Sequence, residues 1–202
     1  MLLLRFYKLI LLLFIFYSLP GQQTGNPMPG AYSTRSYVHL LKDKKVALVV
    51  NHTSVILKTH LADSLLASGI QVTKIFAPEH GFRGSADAGA HVDDSVDQKT
   101  GLPIVSLYGS HKKPTKEDLK NVEMVVFDIQ DVGVRFYTFI SSLEGYMEAA
   151  FINNKKLIIL DRPNPNIHYV DGPVLESKYR SFVGMQPVPV VYGMTIGEYA
   201  WM

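Results

Sequence analysis

Five short runs of β-branched and aliphatic residues recur along the chain, and each stops abruptly at polar residues. "KVALVV" ends in Asn51-His52-Thr53-Ser54, and "QVTKIFA" ends in Pro78-Glu79-His80-Gly81. "PIVSLY" ends in Gly109-Ser110-His111, "EMVVFDI" in Gln130-Asp131-Val132-Gly133, and "KLIIL" in Asp161-Arg162-Pro163-Asn164-Pro165. Continuous apolar runs of this length suit strands covered on both faces, as in a parallel sheet. Between them lie segments with helical character: "THLADSLLASG", stopped by Gly69; "KPTKEDLKN", with Thr115 three residues before Asp118; and "FISSLEGYMEAAFINN". "YVHLLKDKK" reads as a short helix feeding the first strand. Strands alternating with helices predict an α/β, Rossmann-like three-layer sandwich with a mostly parallel sheet and right-handed crossovers.

This layout directs attention to one rim. In open parallel sheets, ligands bind outside the carboxyl ends of the strands. All five polar clusters follow strand ends, so all five can meet at one cleft. The polar, glycine-rich stretch "GFRGSADAGAHVDDSVDQKTG" is expected to be an active-site loop with no element of its own.

Composition excludes more than it selects. The 202 residues carry 20 Lys and Arg against 18 Asp and Glu, a formal net charge of +2 that indicates no nucleic-acid partner. There is no cysteine, which removes disulfides, thiolate metal sites and a cysteine nucleophile. His52 and His80 lack ligand spacing, so no metal is expected. No dinucleotide fingerprint or phosphate-binding loop is present, and no cofactor is expected.

The first residues, "MLLLRFYKLILLLFIFYSLPGQQ", place Arg5 and Lys8 before an apolar run and close it with "SLPG". This reads as a secretory signal peptide, residues 1–21, which predicts a periplasmic or secreted protein. An uncleaved membrane anchor is the alternative, though the run is short for a bilayer span. Residues 22–36 read as a loose Gly/Pro-rich lead-in, 37–180 as the Rossmann-like domain, and 181–202 as the start of a C-terminal region.

What remains is acid–base chemistry. Glu79 follows Pro78, which stiffens the backbone ahead of it, while Gly81 and Gly84 allow turns that aim Glu79 and Arg83 inward. A carboxylate in a partly desolvated cleft is raised in pKa and can act as a general acid near neutrality. The structural alternative is a Glu79–Arg83 ion pair. "FDIQDVGVRFYTF" gathers Asp128, Asp131, Arg135 and Tyr137 around a strand end; one aspartate orients Arg135 while the other faces ligand, and Tyr137 either serves a sugar ring or belongs to the core. "LDRPNPN" sets Asp161 and Arg162 in a stiff turn.

"VNHTS", "APEHGFRG", "TGLPIVSLYG", "VFDIQDVGVRFYTFI", "LDRPNP", "DGPVLE" and "VVYGMTIGE" occur in this order. The chain thereby resembles the exo-β-N-acetylmuramidase family NamZ, formerly a domain of unknown function, from about Leu41 onward. The resemblance implies a secreted or periplasmic glycosidase that removes N-acetylmuramic acid from non-reducing ends of peptidoglycan fragments. It implies a Rossmann-like domain joined to a smaller C-terminal domain, with the active site between them. Peptidoglycan-derived muramic acid glycosides would be the partner, without a stable membrane anchor after signal cleavage. By matching positions, Glu79 is the candidate catalytic acid. Asn51, His80, Arg83, Asp128, Asp131, Arg135, Tyr137, Asp161 and Arg162 are candidates for binding substrate or tuning Glu79. Either Asp128, Asp131 or Asp161 would be the second carboxylate, and Arg83, Arg135 or Arg162 would meet the lactyl carboxylate. Two departures are visible. The chain stops at "YGMTIGEYAWM", so most of the smaller domain is expected to be missing, and Ala90 stands where an acidic residue is expected. These keep open a non-catalytic or vestigial glycan-binding protein, and a solute-binding protein as a third reading.

Overall fold

The computed structural model describes residues 27–78, 82–83, 95–107 and 111–202. The predicted signal peptide, Glu79, His80 and Ala90 lie outside the described residues. In chain order the strands are β1 (Val46–Val50), β2 (Val55–Ile56), β3 (Thr59–His60), β4 (Val72–Ala77), β5 (Ser95–Val96), β6 (Pro103–Ser106), β7 (Met124–Asp128) and β8 (Lys156–Ile159). The helices are α1 (Thr34–Leu41), α2 (Leu61–Ala67), α3 (Phe139–Ile152) and α4 (Ile196–Trp201). All five expected strands are present. They form one sheet in the order β5-β6-β4-β1-β7-β8, parallel except for β5, which runs antiparallel to β6. The chain builds outward from β1 through β4 to β6, then returns to β7 and β8 on the other side. That reversal makes β1 the topological switch point of a Rossmann-like sheet.

Burial explains the strand composition. Every residue of β1 is buried, because alternate side chains serve opposite cores. Val46, Leu48 and Val50 face a core with Leu41 of α1 and Leu61 and Leu65 of α2. Ala47 and Val49 face a second core with Ile140, Leu143 and Tyr146 of α3 and Ile196 and Tyr199 of α4. The result is the expected three-layer α/β sandwich. Val188 and Tyr192, from the stretch read as the start of a C-terminal region, pack into this second core as well.

Helix α2 ends where expected. Gly69 adopts φ +76°, and the N–H groups of Gly69 and Ile70 return to the carbonyls of Leu66 and Leu65 (both 3.0 Å), a Schellman closure. The helix expected over "KPTKEDLKN" is instead a run of turns. Thr115 and Asp118 do cap each other, with the Thr115 N–H donating to Asp118 Oδ2 at 2.7 Å and the Asp118 N–H to Thr115 Oγ1 at 3.2 Å. Asn121 then enters the left-handed region at φ +58° and ends the turn before a helix can extend.

Two further expectations are corrected. The lead-in is built rather than loose where it is described. Gly30–Tyr32 form a 3-10 turn, Ala31 is fully buried, and α1 begins at Thr34. Gly30 is required there: its N–H donates to the Asp161 carbonyl at 2.5 Å, and a Cβ would stand 2.9 Å from the Asp161 nitrogen. The long polar loop carries the short strand β5, fixed by the Asp97 N–H donating to the Leu102 carbonyl at 2.9 Å. Among the described residues, no helix is long and apolar enough to cross a membrane.

Candidate active site at the carboxyl rim of the sheet

Asn51 leaves β1 and is completely buried. Its Oδ1 accepts from the Thr53 N–H (2.9 Å) and hydroxyl (2.5 Å), which folds the chain back on itself at the strand end. The turn is tied to the next strand, because the Ser54 hydroxyl donates to the Asp128 carbonyl and the Gln130 N–H donates to Thr53 Oγ1 at 3.0 Å. The Asn51 side-chain Nδ2 has no hydrogen-bond partner among the described residues.

Asp128 closes β7, is fully buried, and meets Arg162 in a two-pronged pair, Nε to Oδ1 at 2.6 Å and Nη2 to Oδ2 at 2.9 Å. Burial pushes the Asp128 carboxyl upward, against the pull of Arg162. The expected Asp128–Arg135 or Asp131–Arg135 pairing does not form. Arg135 turns the other way, its Nη1 donating to the carbonyls of Val188 (2.5 Å) and Pro173 (3.1 Å). Asp131 accepts through Oδ2 from the Gly133 N–H at 2.6 Å and from the Tyr192 hydroxyl, while its Oδ1 has no partner among the described residues. Burial raises its pKa, opposed by the Tyr192 and Gly133 hydrogen bonds.

Asp161 is occupied with structure. Its Oδ1 accepts from the N–H groups of Arg162 (2.9 Å) and Gly197 (2.8 Å), and its Oδ2 from the Thr195 hydroxyl (2.6 Å). It thus seats the start of α4, which Thr195 and Glu198 close with a capping box. Tyr137 is half exposed and stacks on Phe136, ring centroids 5.9 Å apart. It does not enter the core.

On the β4–β6 side, Arg83 is shared between two carboxylates. Nε and Nη2 reach Asp97 Oδ1 and Oδ2, both at 2.8 Å, and Nη2 also reaches Asp63 Oδ1 at 3.2 Å. Lys99 joins Asp63 at 2.6 Å. The hydrogen bonds from Arg83, against the cost of burial, hold the Asp97 carboxyl well below the usual carboxylate range. The partners of Arg83 are Asp63 and Asp97 among the described residues; neither was singled out from the sequence.

His60 was also missed. It is buried, its Nδ1 accepts from the Ala62 N–H at 3.2 Å, and its Nε2 therefore carries the proton donated to the Asn51 carbonyl at 2.9 Å. Its ring meets Phe82 edge-on at 4.6 Å, and Phe82 in turn lies under the Arg83 guanidinium at 4.5 Å. Burial lowers the His60 pKa. A continuous line of contacts thus joins Arg83, Phe82, His60, Asn51, Ser54, Asp128 and Arg162 along the rim. The available signal was positional, since His60 stands where a helix N-cap is needed before "LADSLLA". Asn164 is a further missed residue. It is buried against Gly133, with Nδ2 donating to the Met194 carbonyl at 2.7 Å. Two hollows lie away from this rim, about 360 Å³ between α3 and α4 around Glu144, Gln186 and Tyr199, and about 520 Å³ around Lys116, Lys120 and Lys155 at the strands' amino end.

Comparison with known proteins finds relatives of the chain. Residues 46–202 match the family described as exo-β-N-acetylmuramidase NamZ, N-terminal. The chain is 48% identical over 167 residues to the peptidoglycan β-N-acetylmuramidase NamZ of Bacillus subtilis (strain 168), covering 81% of this chain and 40% of the relative. Two crystal structures of DUF1343 family proteins from Bacteroides fragilis NCTC 9343 superpose on it, each with a TM-score of 0.77. They are 46% and 39% identical, each match covering 86% of this chain and, respectively, 45% and 44% of the solved chains. The chain spans less than half the length of these relatives. The family match over residues 46–202 and the shared fold show that the chain belongs to the NamZ N-terminal domain family.

Proposed function

We propose that this protein acts as a peptidoglycan β-N-acetylmuramidase, releasing N-acetylmuramic acid from non-reducing ends of wall fragments outside the cytoplasm in cell-wall turnover and recycling. The family membership supports the reaction class, and the name of the Bacillus subtilis relative supports the substrate. The observation that carries the reading is the interlocked rim, which gathers buried polar groups from β1, β7 and β8 beside the point where β4 ends and Pro78-Glu79 follow.

Glu79 is the proposed general acid that protonates the leaving glycosidic oxygen. Its position in sequence suits the role, directly after the proline that ends the strand next to Asn51. A second carboxyl group is needed either as nucleophile or to activate water, and its separation from Glu79 sets retention or inversion. Both oxygens of Asp128 are taken by Arg162, and both of Asp161 by Thr195, Gly197 and the Arg162 N–H. Asp131 keeps Oδ1 without a partner among the described residues and is the proposed second carboxylate.

The test is release of N-acetylmuramic acid from a chromogenic β-glycoside by the intact protein, beside a binding titration. The expected result is turnover that falls about 100- to 10,000-fold in Glu79→Gln with an unchanged circular dichroism spectrum. Turnover at the wild-type rate by Glu79→Gln rejects the acid assignment. Binding without any turnover in the unmodified protein rejects the hydrolase.

A further inference from the structure

We infer that Arg135, together with the exposed Phe136–Tyr137 pair, forms the subsite that recognises the carboxylate of an acidic sugar, and so sets the preference for muramic acid over uncharged hexosamines. The inference rests on the proposed function and names the group that selects its substrate.

Three arginines are candidates for a carboxylate partner, and their charges are matched differently. The Arg162 charge is matched by buried Asp128 in a two-pronged pair. Arg83 is matched twice, by Asp97 and Asp63. A second carboxylate arriving at either would have to displace an existing partner. Arg135 faces no carboxylate among the described residues. Its Nη1 is fixed by the peptide carbonyls of Val188 and Pro173, neutral acceptors that orient the guanidinium and do not offset its charge.

Orientation matters as much as charge. With Nη1 anchored, the opposite edge, made by Nε and Nη2, has no hydrogen-bond partner among the described residues and has the fork spacing a carboxylate accepts. Gly184 stands beside that edge. A Cβ there would come within 3.6 Å of Nε, and any longer side chain would begin to cover it. The arm that carries the guanidinium is itself fixed, since the Arg135 N–H donates to the Val190 carbonyl at 2.8 Å and Val134 bridges to Val191.

The next two residues supply a surface for a sugar ring. Phe136 and Tyr137 are 55% and 48% exposed and lie nearly parallel, 29° apart. Exposed aromatic rings side by side offer an apolar surface that the apolar face of a pyranose can cover. A cation whose fork has no partner among the described residues, followed along the chain by an aromatic pair, matches a sugar that carries a carboxylate on a short arm. An uncharged hexosamine uses only the platform.

Calorimetric titration of the intact protein with N-acetylmuramic acid and with N-acetylglucosamine tests this without requiring turnover. The unmodified protein is expected to prefer the acidic sugar by about 10- to 100-fold, the worth of a charge-assisted hydrogen-bonded pair. Arg135→Gln should erase that preference and leave N-acetylglucosamine binding unchanged, and Arg135→Lys should keep part of it. Phe136→Ala with Tyr137→Ala should weaken both sugars alike. Thermal melts separate these effects from the anchoring of Val188 and Pro173. No preference in the unmodified protein, a preference that survives in Arg135→Gln, or an equal loss for both sugars in a folded Arg135→Gln each overturns the inference. A protein that shows the preference yet hydrolyses nothing keeps this subsite and loses the proposed reaction. One that hydrolyses muramic glycosides with a preference indifferent to Arg135 does the reverse.

Discussion

At the β7–β8 side of the rim, Arg162 and Asp128 meet out of contact with water, each completely or almost completely buried. At the β4–β6 side, Arg83 bridges Asp97 and Asp63 with about a third of its side chain exposed, and Lys99 adds a largely exposed second cation. Both are arginine–aspartate forks of similar length. Their surroundings differ, and that difference decides what each contributes. In the dry pair, desolvation opposes the attraction, so the pair fixes geometry more than it adds net stability. In the second cluster the two carboxylates are also largely buried, but the partly exposed cations Arg83 and Lys99 outweigh that cost, so both carboxyls are lowered in pKa and the cluster acts through pH.

The largest expected effect comes from breaking the dry pair on one side only. Arg162→Met leaves Asp128 buried and unmatched, which should cost about 3–5 kcal/mol. It also removes the tether from Arg162 to the Val55 carbonyl at 3.4 Å. Replacing both partners, Arg162→Met with Asp128→Leu, should return most of that loss, because neither charge is then stranded. Urea denaturation of the four proteins of this cycle measures it. A double variant as unstable as Arg162→Met alone would show that the pair is a net source of stability, and the contrast with the Arg83 cluster would fail.

How much of this could be read in advance follows the same division. The strands were legible because burial on both faces leaves no polar position to interrupt "VALVV" or "MVVFD". The rim was legible as a place, since every strand must end in something polar. The partnerships were not. Arg162 finds Asp128 34 residues away, and Asp161 seats a helix that starts 35 residues later, and no local pattern encodes either. The sequence reading paired Arg135 with a neighbouring aspartate because proximity along the chain was the only distance available. His60 escaped notice because a residue that caps a helix looks like the helix's own business; its second bond, to the Asn51 carbonyl, exists only in three dimensions. The turn at Gly30 was hidden for a related reason, since its reason for being ordered is Asp161.

The second prediction sharpens the comparison through pH. Asp97 has a lowered folded-state pKa, caused first by its hydrogen bonds from Arg83. Asp63 is lowered too, as hydrogen bonds from Lys99 and Arg83 outweigh its burial. The stability they supply is complete above the unfolded carboxylate value, near 3.9, and is lost as pH falls through the folded value. Asp131, raised by burial, has the opposite sign: its contribution is complete below the unfolded value and is lost as pH rises through the folded one. Asp97→Asn should therefore destabilise at pH 7 by about 1.5–2 kcal/mol, the lower part of the range for hydrogen bonds to charged groups, and should flatten the acid limb of the stability curve. Asp131→Asn should gain on the unmodified protein as pH is raised from 3 to 7. Melting temperatures across that range decide it. Parallel curves for all three proteins would mean that neither side of the rim is linked to protons as its surroundings require.

The smallest expected effect provides the control on which the ranking stands. Lys120 and Glu117 form an ion pair at 3.0 Å, three residues apart on a turn, with both side chains mostly in water. Attraction between such charges is weak because water screens it, and holding two long side chains together costs entropy. Lys120→Ala should shift the melting temperature by less than about 2 °C, and added salt should reduce even that. The geometry of this pair is as good as that of the Arg83–Asp97 contacts at 2.8 Å. If the Lys120 pair contributed as much as Asp97 does, contact distance and not burial would set the strength of these bridges. The reason for treating the two sides of the rim differently would then disappear.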